Sequence, residues 1–297
     1  MLKKSANIGS RIFDCFNVIL MVVIILVTLY PFWNQFILSF AEKKYLYAVT
    51  PQWLPQSFDP SAYQAIMKYK DIWSGYANSI IRTVVGTILG VLVNAMIAYP
   101  LTKRDLPGKK FFTTMIIITM LFSGGTIPLY LLITKDLHLT NSFWALILPA
   151  IVSPYYIFIL RNFFYSVPHE LEEAALVDGA GFFRIFWQIV MPLSRPVLAT
   201  VALWTGVGHW QAWYDNLLYL QKPANWGLQM ILRELLVQNQ SDNILTAVAS
   251  AFGSTGAVDE RQLKCAVVVI SVLPMLIVYP FLQEYMNKGV VLGAVKG

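Results

Sequence analysis

Six apolar stretches, each long enough to cross a bilayer, constrain this chain more than any other feature. A spanning helix needs about 20 mainly apolar residues. The stretches run roughly over Phe13 to Phe36, Tyr76 to Leu101, Phe111 to Ile133, Ser142 to Phe164, Val197 to Leu220 and Leu263 to Tyr285. In lipid every backbone polar group must find a partner within the protein, and helices of this length do that. The pattern predicts an all-α, polytopic membrane protein with six transmembrane helices. Composition agrees: 57% of the 297 residues are apolar and 13% charged, against about 25% charged in a soluble domain. The third stretch is interrupted at Ser123-Gly124-Gly125 and Pro128, and the sixth holds Pro274 and Pro280. Breaks in the third, fifth and sixth stretches fit helices lining a shared pathway, and equally fit ordinary membrane-helix kinks.

Charge sets the orientation. Lys3, Lys4 and Arg11 precede the first stretch, and Lys103, Arg104, Lys109 and Lys110 crowd the short second loop. Cytoplasmic loops carry the excess of Lys and Arg, so both segments are expected in the cytoplasm. Six spans then put both termini and the 165–196 segment there too. Lys43, Lys44, Lys68 and Lys70 lie in a long outer loop, where charge counts for less. The first stretch leads into Tyr30-Pro31 without a small-residue cleavage site and reads as a retained span. The net charge of +6 is loop bias, so no nucleic-acid partner is expected. Cys15 and Cys265 fit buried small residues and no metal spacing.

Several chemistries are missing. There is no G-x-x-x-x-G-K-[ST]; Gly108-Lys109 lacks the upstream glycine and the following hydroxyl, so the chain does not hydrolyse ATP by that route. His138, His169 and His209 fall on different segments. The expectation is a non-enzyme with no metal and no cofactor of its own. Asp215 is the main acid within a span, read either as a hydrated or paired end residue or as a transport group. Leu228, Ile231, Leu232, Leu235 and Leu236 recur at helical spacing and predict an amphipathic helix. It fits a helix lying at the membrane interface or a docking surface for an outside partner. The polar run Gln238 to Asn243 and the stretch Gly253-Ser254-Thr255-Gly256 follow it.

The most polar long insert lies between the fourth and fifth stretches, from Glu170 to Pro196. Pro168 opens a helix whose first turns hold Glu170, Glu172 and Glu173, where acids favour the positive dipole end. Gly179 is where that helix stops. Phe182, Phe183, Phe186, Trp187, Ile189 and Val190 make the next part apolar, and Pro192 and Pro196 punctuate entry to the fifth stretch. The aromatic part is expected to pack under the transmembrane bundle and the acidic helix to face a basic partner. An interfacial anchor fits the residues as well.

Glu173-Ala174-Ala175, then Gly179, Ile189 and Pro192, stand at the spacing of the EAA loop: Glu-Ala-Ala, three residues, Gly, nine residues, Ile, one residue, Leu-Pro. Met191 replaces the common Leu. On these residues the chain resembles the permease subunits of binding-protein-dependent ABC importers. Asp178-Gly179-Ala180, Pro196 and the tail from Tyr279 to Gly297 are similar to the carbohydrate branch, nearest its maltose-permease-like members that take oligosaccharides from polysaccharide breakdown.

The resemblance implies a type I ABC importer permease fold, with 1–297 as one transmembrane domain. Residues 165–196 would be cytoplasmic coupling helices, and 221–262 an outer loop facing the binding protein. Glu170, Glu173, Ala174, Ala175, Asp178, Gly179, Ala180 and Arg184 would be the ATPase-coupling residues. Glu173 would meet a basic group of the ATPase, and Gly179 would let the turn fit against it. The tail near Lys288 to Gly297 would approach the ATPase dimer. Implied partners are a second homologous permease, two ABC ATPase subunits that bind ATP and Mg, and an extracytoplasmic sugar-binding protein, with a carbohydrate substrate. The setting would be the bacterial cell (inner or cytoplasmic) membrane. Within transport the alternative is another solute; outside the class, an ion-coupled secondary carrier or a membrane scaffold.

Asn94, Trp210, Gln211, Trp213 and Tyr214 are the substrate-pathway candidates, because aromatic faces beside amides suit sugar rings. The competing readings are an aromatic belt at the membrane edge and, for Asn94, a helix–helix hydrogen bond.

Overall fold

The computed structural model describes residues 8–48, 52–237 and 258–294; for Ile8, Arg11, 235–237 and 281–294 it describes the backbone alone. The polar run Gln238 to Asn243, the stretch Gly253 to Gly256, Lys3, Lys4, the last residues of the tail and the side chains of Leu235, Leu236 and Lys288 lie outside what is described. The described residues form helices and connecting turns with no strand among them. The sequence suggests one domain over 1–297; the chain divides into two compact units, Met1–Tyr69 with Leu235–Val272, and Lys70–Glu234 with Leu273–Gly297.

In the first unit α1 (Ile8–Ser39) carries the first apolar stretch, and none of its most apolar window is buried. Short helices α2 (Lys43–Leu46) and α3 (Ser61–Lys68) follow. Leu38, Ala41, Leu46 and Cys265 form a small core. Around it Ser39 and Tyr63 share a 2.7 Å hydroxyl contact, and Gln262 Nε2 donates to the Asp59 carbonyl at 2.9 Å.

The second unit is built on α4 (Lys70–Ala98). Asp71 sits in its first turn, at the positive end of the dipole. Pro100 stops it, because a proline has no N–H and disfavours helix before it; a 3-10 turn, Pro100–Thr102, follows. One face of α4 buries Ile72, Gly75, Ser79, Arg82, Gly86, Gly90, Asn94 and Ala98. Small residues at this spacing let a neighbouring helix approach closely. The neighbour is α11 (Arg195–Gln211). The approach is tightest at Gly86, where an added Cβ would overlap the His209 ring.

The other apolar stretches of this unit are broken more sharply than the sequence suggests. The third becomes α5 (Lys109–Leu121) and α6 (Thr126–Leu131) with a π-helical turn, Leu132–Asp136. Its two halves meet at 109°, a change of direction rather than a kink. The fourth is two 3-10 turns, Phe143–Leu146 and Leu148–Ala150, and α7 (Pro154–Phe164), bent by 52°. Ser153 caps α7 by accepting from the Tyr156 N–H, with Pro154 at the first helical position. The segment before α11 holds α8 (His169–Val177), α9 (Phe182–Ile185), a π turn (Phe186–Val190) and α10 (Met191–Leu193). Residues Phe182–Leu193 meet α11 at 82°. The fifth stretch stops as a helix at Gln211 and resumes as α12 (Tyr214–Tyr219).

The last helix, α14 (Glu260–Ala294), corrects the expected break in the sixth stretch: it runs on through Pro274 and Pro280. In a membrane helix neighbouring groups can satisfy the carbonyls that a proline frees. By length and apolar composition, three helices can cross a bilayer among the described residues, or six if each bent pair is one span.

The central core of the second unit joins the far end of α4 (Ala95, Ala98, Tyr99, Leu101) to α7 (Ile157, Leu160, Phe164), to Ile185, Phe186 and Val190, and to α11 (Val197, Val201). The amphipathic helix is present as α13 (Leu228–Val237). Leu228, Met230, Ile231 and Leu232 are buried. Its start is fixed to α4, with the Leu228 N–H donating to Ser79 Oγ at 2.8 Å. The described part of its apolar face, Leu228, Ile231 and Leu232, is thus packed inside this chain.

Candidate functional site: an exposed helix–turn–helix rooted in the helical core

Residues 169–193 fold as helix, turn, helix. α8 begins after Pro168 and carries Glu170 and Glu172 in its first turn. It ends in a Schellman motif. Gly179 N–H donates to the Leu176 carbonyl at 3.0 Å, and Ala180 N–H to the Ala175 carbonyl at 2.9 Å. Gly179 has φ +79°, which a side chain would resist. Ala175 and Ala180 both pack on the central core, which supplies the apolar contact such a cap usually has. The turn is thus fixed by Ala175, Gly179 and Ala180 together.

The outer surface of this turn is exposed. Glu170, Glu173, Ala174, Asp178, Gly179 and Arg184 all lie on it, and Arg184 Nε donates to Gln188 at 2.9 Å. Two sequence expectations need correction. The aromatic run does not pack wholly under the bundle: Ile185, Phe186 and Val190 are buried, while Phe182, Phe183 and Trp187 are exposed. Helical periodicity puts only one stripe of such a run on the core. The acidic helix does not face wholly outward either. Glu172 is 8% exposed and forms an ion pair with Lys103. The exposed face is mixed rather than purely acidic, since Val177 is 88% exposed.

The far end of α4 meets this segment through polar contacts. Lys103 Nζ lies 4.2 Å over the Tyr99 ring and 5.8 Å from the Phe182 ring. Lys109 Nζ donates to the Lys103 carbonyl at 2.8 Å and to the Tyr165 hydroxyl at 3.1 Å. That hydroxyl donates in turn to the Leu101 carbonyl at 3.1 Å. Burial raises the Tyr165 phenol, but the hydrogen bond from Lys109 and the charge of Arg161 outweigh it, leaving the group below its ordinary value.

A second polar cluster sits nearer the start of α4. Arg82 pairs with Asp215 through both terminal guanidinium nitrogens, Nη1 and Nη2. The same nitrogens reach the Leu146 carbonyl at 3.3 Å and the Ala212 carbonyl at 3.5 Å. The Arg82 side chain is 4% exposed and that of Asp215 25%. One arginine therefore holds the 3-10 turn of the fourth stretch and the break between α11 and α12. Beside it is a cavity of about 220 Å³, lined by Ser123, Thr126, Leu146, Tyr214, Asp215 and Tyr219 among others.

The substrate-pathway candidates separate around this cluster. Tyr214 lines the cavity. Gln211 and Trp213 are exposed, and the Trp213 ring carries the Arg233 guanidinium 4.5 Å from its centre. Trp210 is buried, its ring 6.1 Å from that of Tyr76. Asn94 is buried as well, and its amide is committed to the fold. It donates to the Gly90 and Ile151 carbonyls at 2.6 and 2.9 Å and accepts from the Ser153 N–H at 2.8 Å. The last two are the interhelical hydrogen bonds of the competing reading: Asn94 pins the break before α7 to α4.

Sequence reading missed Arg82 and Lys103 as site residues. A charged residue inside an apolar stretch was the available signal for Arg82. Lys103 counted only as loop charge. Among the described residues no group of three His, Cys, Asp or Glu side chains is placed to hold a metal ion.

An exposed helical turn rooted in a bundle of broken, apolar spans defines a polytopic membrane component. Residues 86–292 match the family of binding-protein-dependent transport system inner membrane components, and the chain belongs to that family. Its described helices give it the multi-pass form that such a component needs. Protein LplC of Bacillus subtilis (strain 168) is 39% identical over 289 residues, covering 97% of this chain and 96% of its own. The polygalacturonan/rhamnogalacturonan transport system permease protein YtcP of the same organism is 35% identical, covering 97% and 99%. Among solved structures, a chain of a bacterial ABC transporter involved in the import of the acidic polysaccharide alginate superposes with a TM-score of 0.86. The identity there is 28%, covering 95% of this chain and 99% of that one.

Proposed function

We propose that this chain is the permease subunit of an ATP-driven ABC importer for a carbohydrate, with oligosaccharides as the substrate class. One observation carries the coupling role. The Gly179 turn presents Glu170, Glu173 and Asp178 outward, while Ala175, Ala180, Ile185, Phe186 and Val190 root the same segment in the transmembrane core. A push on the exposed face must reach the bundle. The carbohydrate assignment draws on two relatives, a polygalacturonan/rhamnogalacturonan transport permease and a chain of an ABC transporter involved in alginate import.

In this reading the work comes from two ATPase subunits that bind ATP and Mg, and a second permease completes the path. An extracytoplasmic binding protein delivers the sugar. Glu173 meets a basic group on the ATPase, with Glu170, Asp178 and Arg184 beside it and Gly179 allowing close approach. The cluster of Lys103, Arg104, Lys109 and Lys110 supports a cytoplasmic location for this end and for both termini. Tyr214, Trp213 and Gln211 remain as residues that touch substrate, near the cavity beside Asp215.

A second reading has one observation in its favour. The buried Arg82–Asp215 pair is the kind of intramembrane charge that an ion-coupled carrier uses. The test of the first reading is ATP hydrolysis by the reconstituted complex in the presence of the loaded binding protein. Glu173→Lys and Gly179→Pro are expected to abolish the stimulated rate, and stimulation left intact in both variants refutes the coupling assignment.

A further inference from the structure

Glu172 is the acid of α8 that turns away from the exposed face. Its carboxylate takes the Lys103 ammonium, which stands just past the end of α4. The contacts around this pair come from both sides of the Gly179 turn. Glu172 precedes the turn, while Phe182, within 5.8 Å of the Lys103 ammonium, and Phe186, 5.3 Å from the Tyr99 ring, follow it. The end of α4 is therefore held by the whole helix–turn–helix and not by one helix of it. Farther along α4, Asn94 and Arg82 hold the breaks at Ile151 and Leu146.

We propose that the Lys103–Glu172 ion pair is the link within this chain through which displacement of the coupling segment reaches α4, and through α4 the broken spans. This rests on the reading of residues 169–193 as the coupling segment. The choice of residues fits a moving link better than an anchor. The pair is mostly enclosed, with 22% and 10% of its side chains exposed, and at such a site an apolar contact would anchor at least as well. A lysine ammonium on a flexible four-carbon stem can turn and keep its partner as a helix shifts, whereas an arginine fork holds one geometry. Lys103 and Glu172 are positioning residues here and touch no substrate.

The test uses the whole complex in proteoliposomes, with this chain, its partner permease, the ATPases and the binding protein. Tritiated oligosaccharides from polygalacturonan serve as the probe. The readout is sugar imported per ATP hydrolysed, which a purely structural role would not change in complexes that assemble. Lys103→Glu and Glu172→Lys are each expected to lower the ratio about tenfold, within the usual range for coupling between sites. The double exchange, Lys103→Glu with Glu172→Lys, is expected to restore most of it. Lys103→Gln removes the attraction without adding repulsion and decides the matter if the reversals block assembly; a fall of about threefold is expected. A wild-type ratio in Lys103→Gln, or an assembled double exchange that recovers nothing, overturns the proposal. Glu173→Lys in the same preparation separates the two ideas. If it leaves stimulated hydrolysis intact, the coupling reading has failed. If it abolishes stimulation while Lys103→Gln is silent, only the link has failed.

Discussion

Two ion pairs hold the same helix, and they are built differently. Near the middle of α4, Arg82 is almost fully buried and is fixed in a fork with Asp215, with the Leu146 and Ala212 carbonyls as further acceptors. At the far end Lys103 meets Glu172 with 22% and 10% of the two side chains exposed, and an aromatic face lies under the ammonium. The first pair ties α4 to two chain breaks, which cannot move apart without stranding a buried charge. The second ties α4 to a surface segment with a single flexible cation. Arginine is placed where geometry must persist, and lysine where a contact must survive displacement.

Breaking the fixed pair has the largest expected effect. Arg82→Met leaves the Asp215 carboxylate half-buried without its cation, and is expected to cost about 3–5 kcal/mol. Thermal unfolding of the purified complex measures it; a loss below about 1 kcal/mol would remove the distinction between the two pairs. Next comes the packing that brings Arg82 to its partners. Gly86→Leu drives a side chain into the His209 ring and is expected to cost about 1–3 kcal/mol as overpacking. Asn94→Ala should cost about 0.6–2 kcal/mol and speed hydrogen exchange at the Ser153 amide, which Asn94 accepts. Lys103→Gln closes the series, with a stability loss of about 1 kcal/mol, because the Gln amide can still donate to the mostly enclosed Glu172 carboxylate. A stability loss as large as that of Arg82→Met would make both pairs structural and erase the contrast.

The parts of this arrangement differ in how far they could be read from sequence. The helix–turn–helix of 169–193 was legible because its signals are local: Pro168 before it, acids in the first turn, and a glycine at φ +79° where the helix ends. The amphipathic pattern at Leu228, Ile231 and Leu232 likewise marked a real buried face, although the sequence left open what would cover it. The break at Ala212 had a local sign in the polar residues His209, Gln211, Asp215 and Asn216 around it, but its holder was not legible: the carbonyl there is held by Arg82, 130 positions earlier in the chain. The same is true of Asn94 with Ile151 and of Lys103 with Glu172, which are 57 and 69 positions apart. Periodicity shows which face of a helix is apolar, but not which distant carbonyl or carboxylate a buried polar side chain will meet. The mixed exposure of Phe182, Phe183 and Phe186 has another cause: one aromatic run covers two faces, and only the fold selects the buried one.

The most direct test of the whole account is the energy source for uptake. Proteoliposomes holding the complete complex are loaded with ATP or with a non-hydrolysable analogue, with and without an ionophore, and accumulation of labelled oligosaccharide is followed. Uptake is expected to require hydrolysable ATP and to persist with the ionophore. Uptake that continues on the analogue and collapses with the ionophore contradicts the account and assigns the Arg82–Asp215 pair to ion coupling.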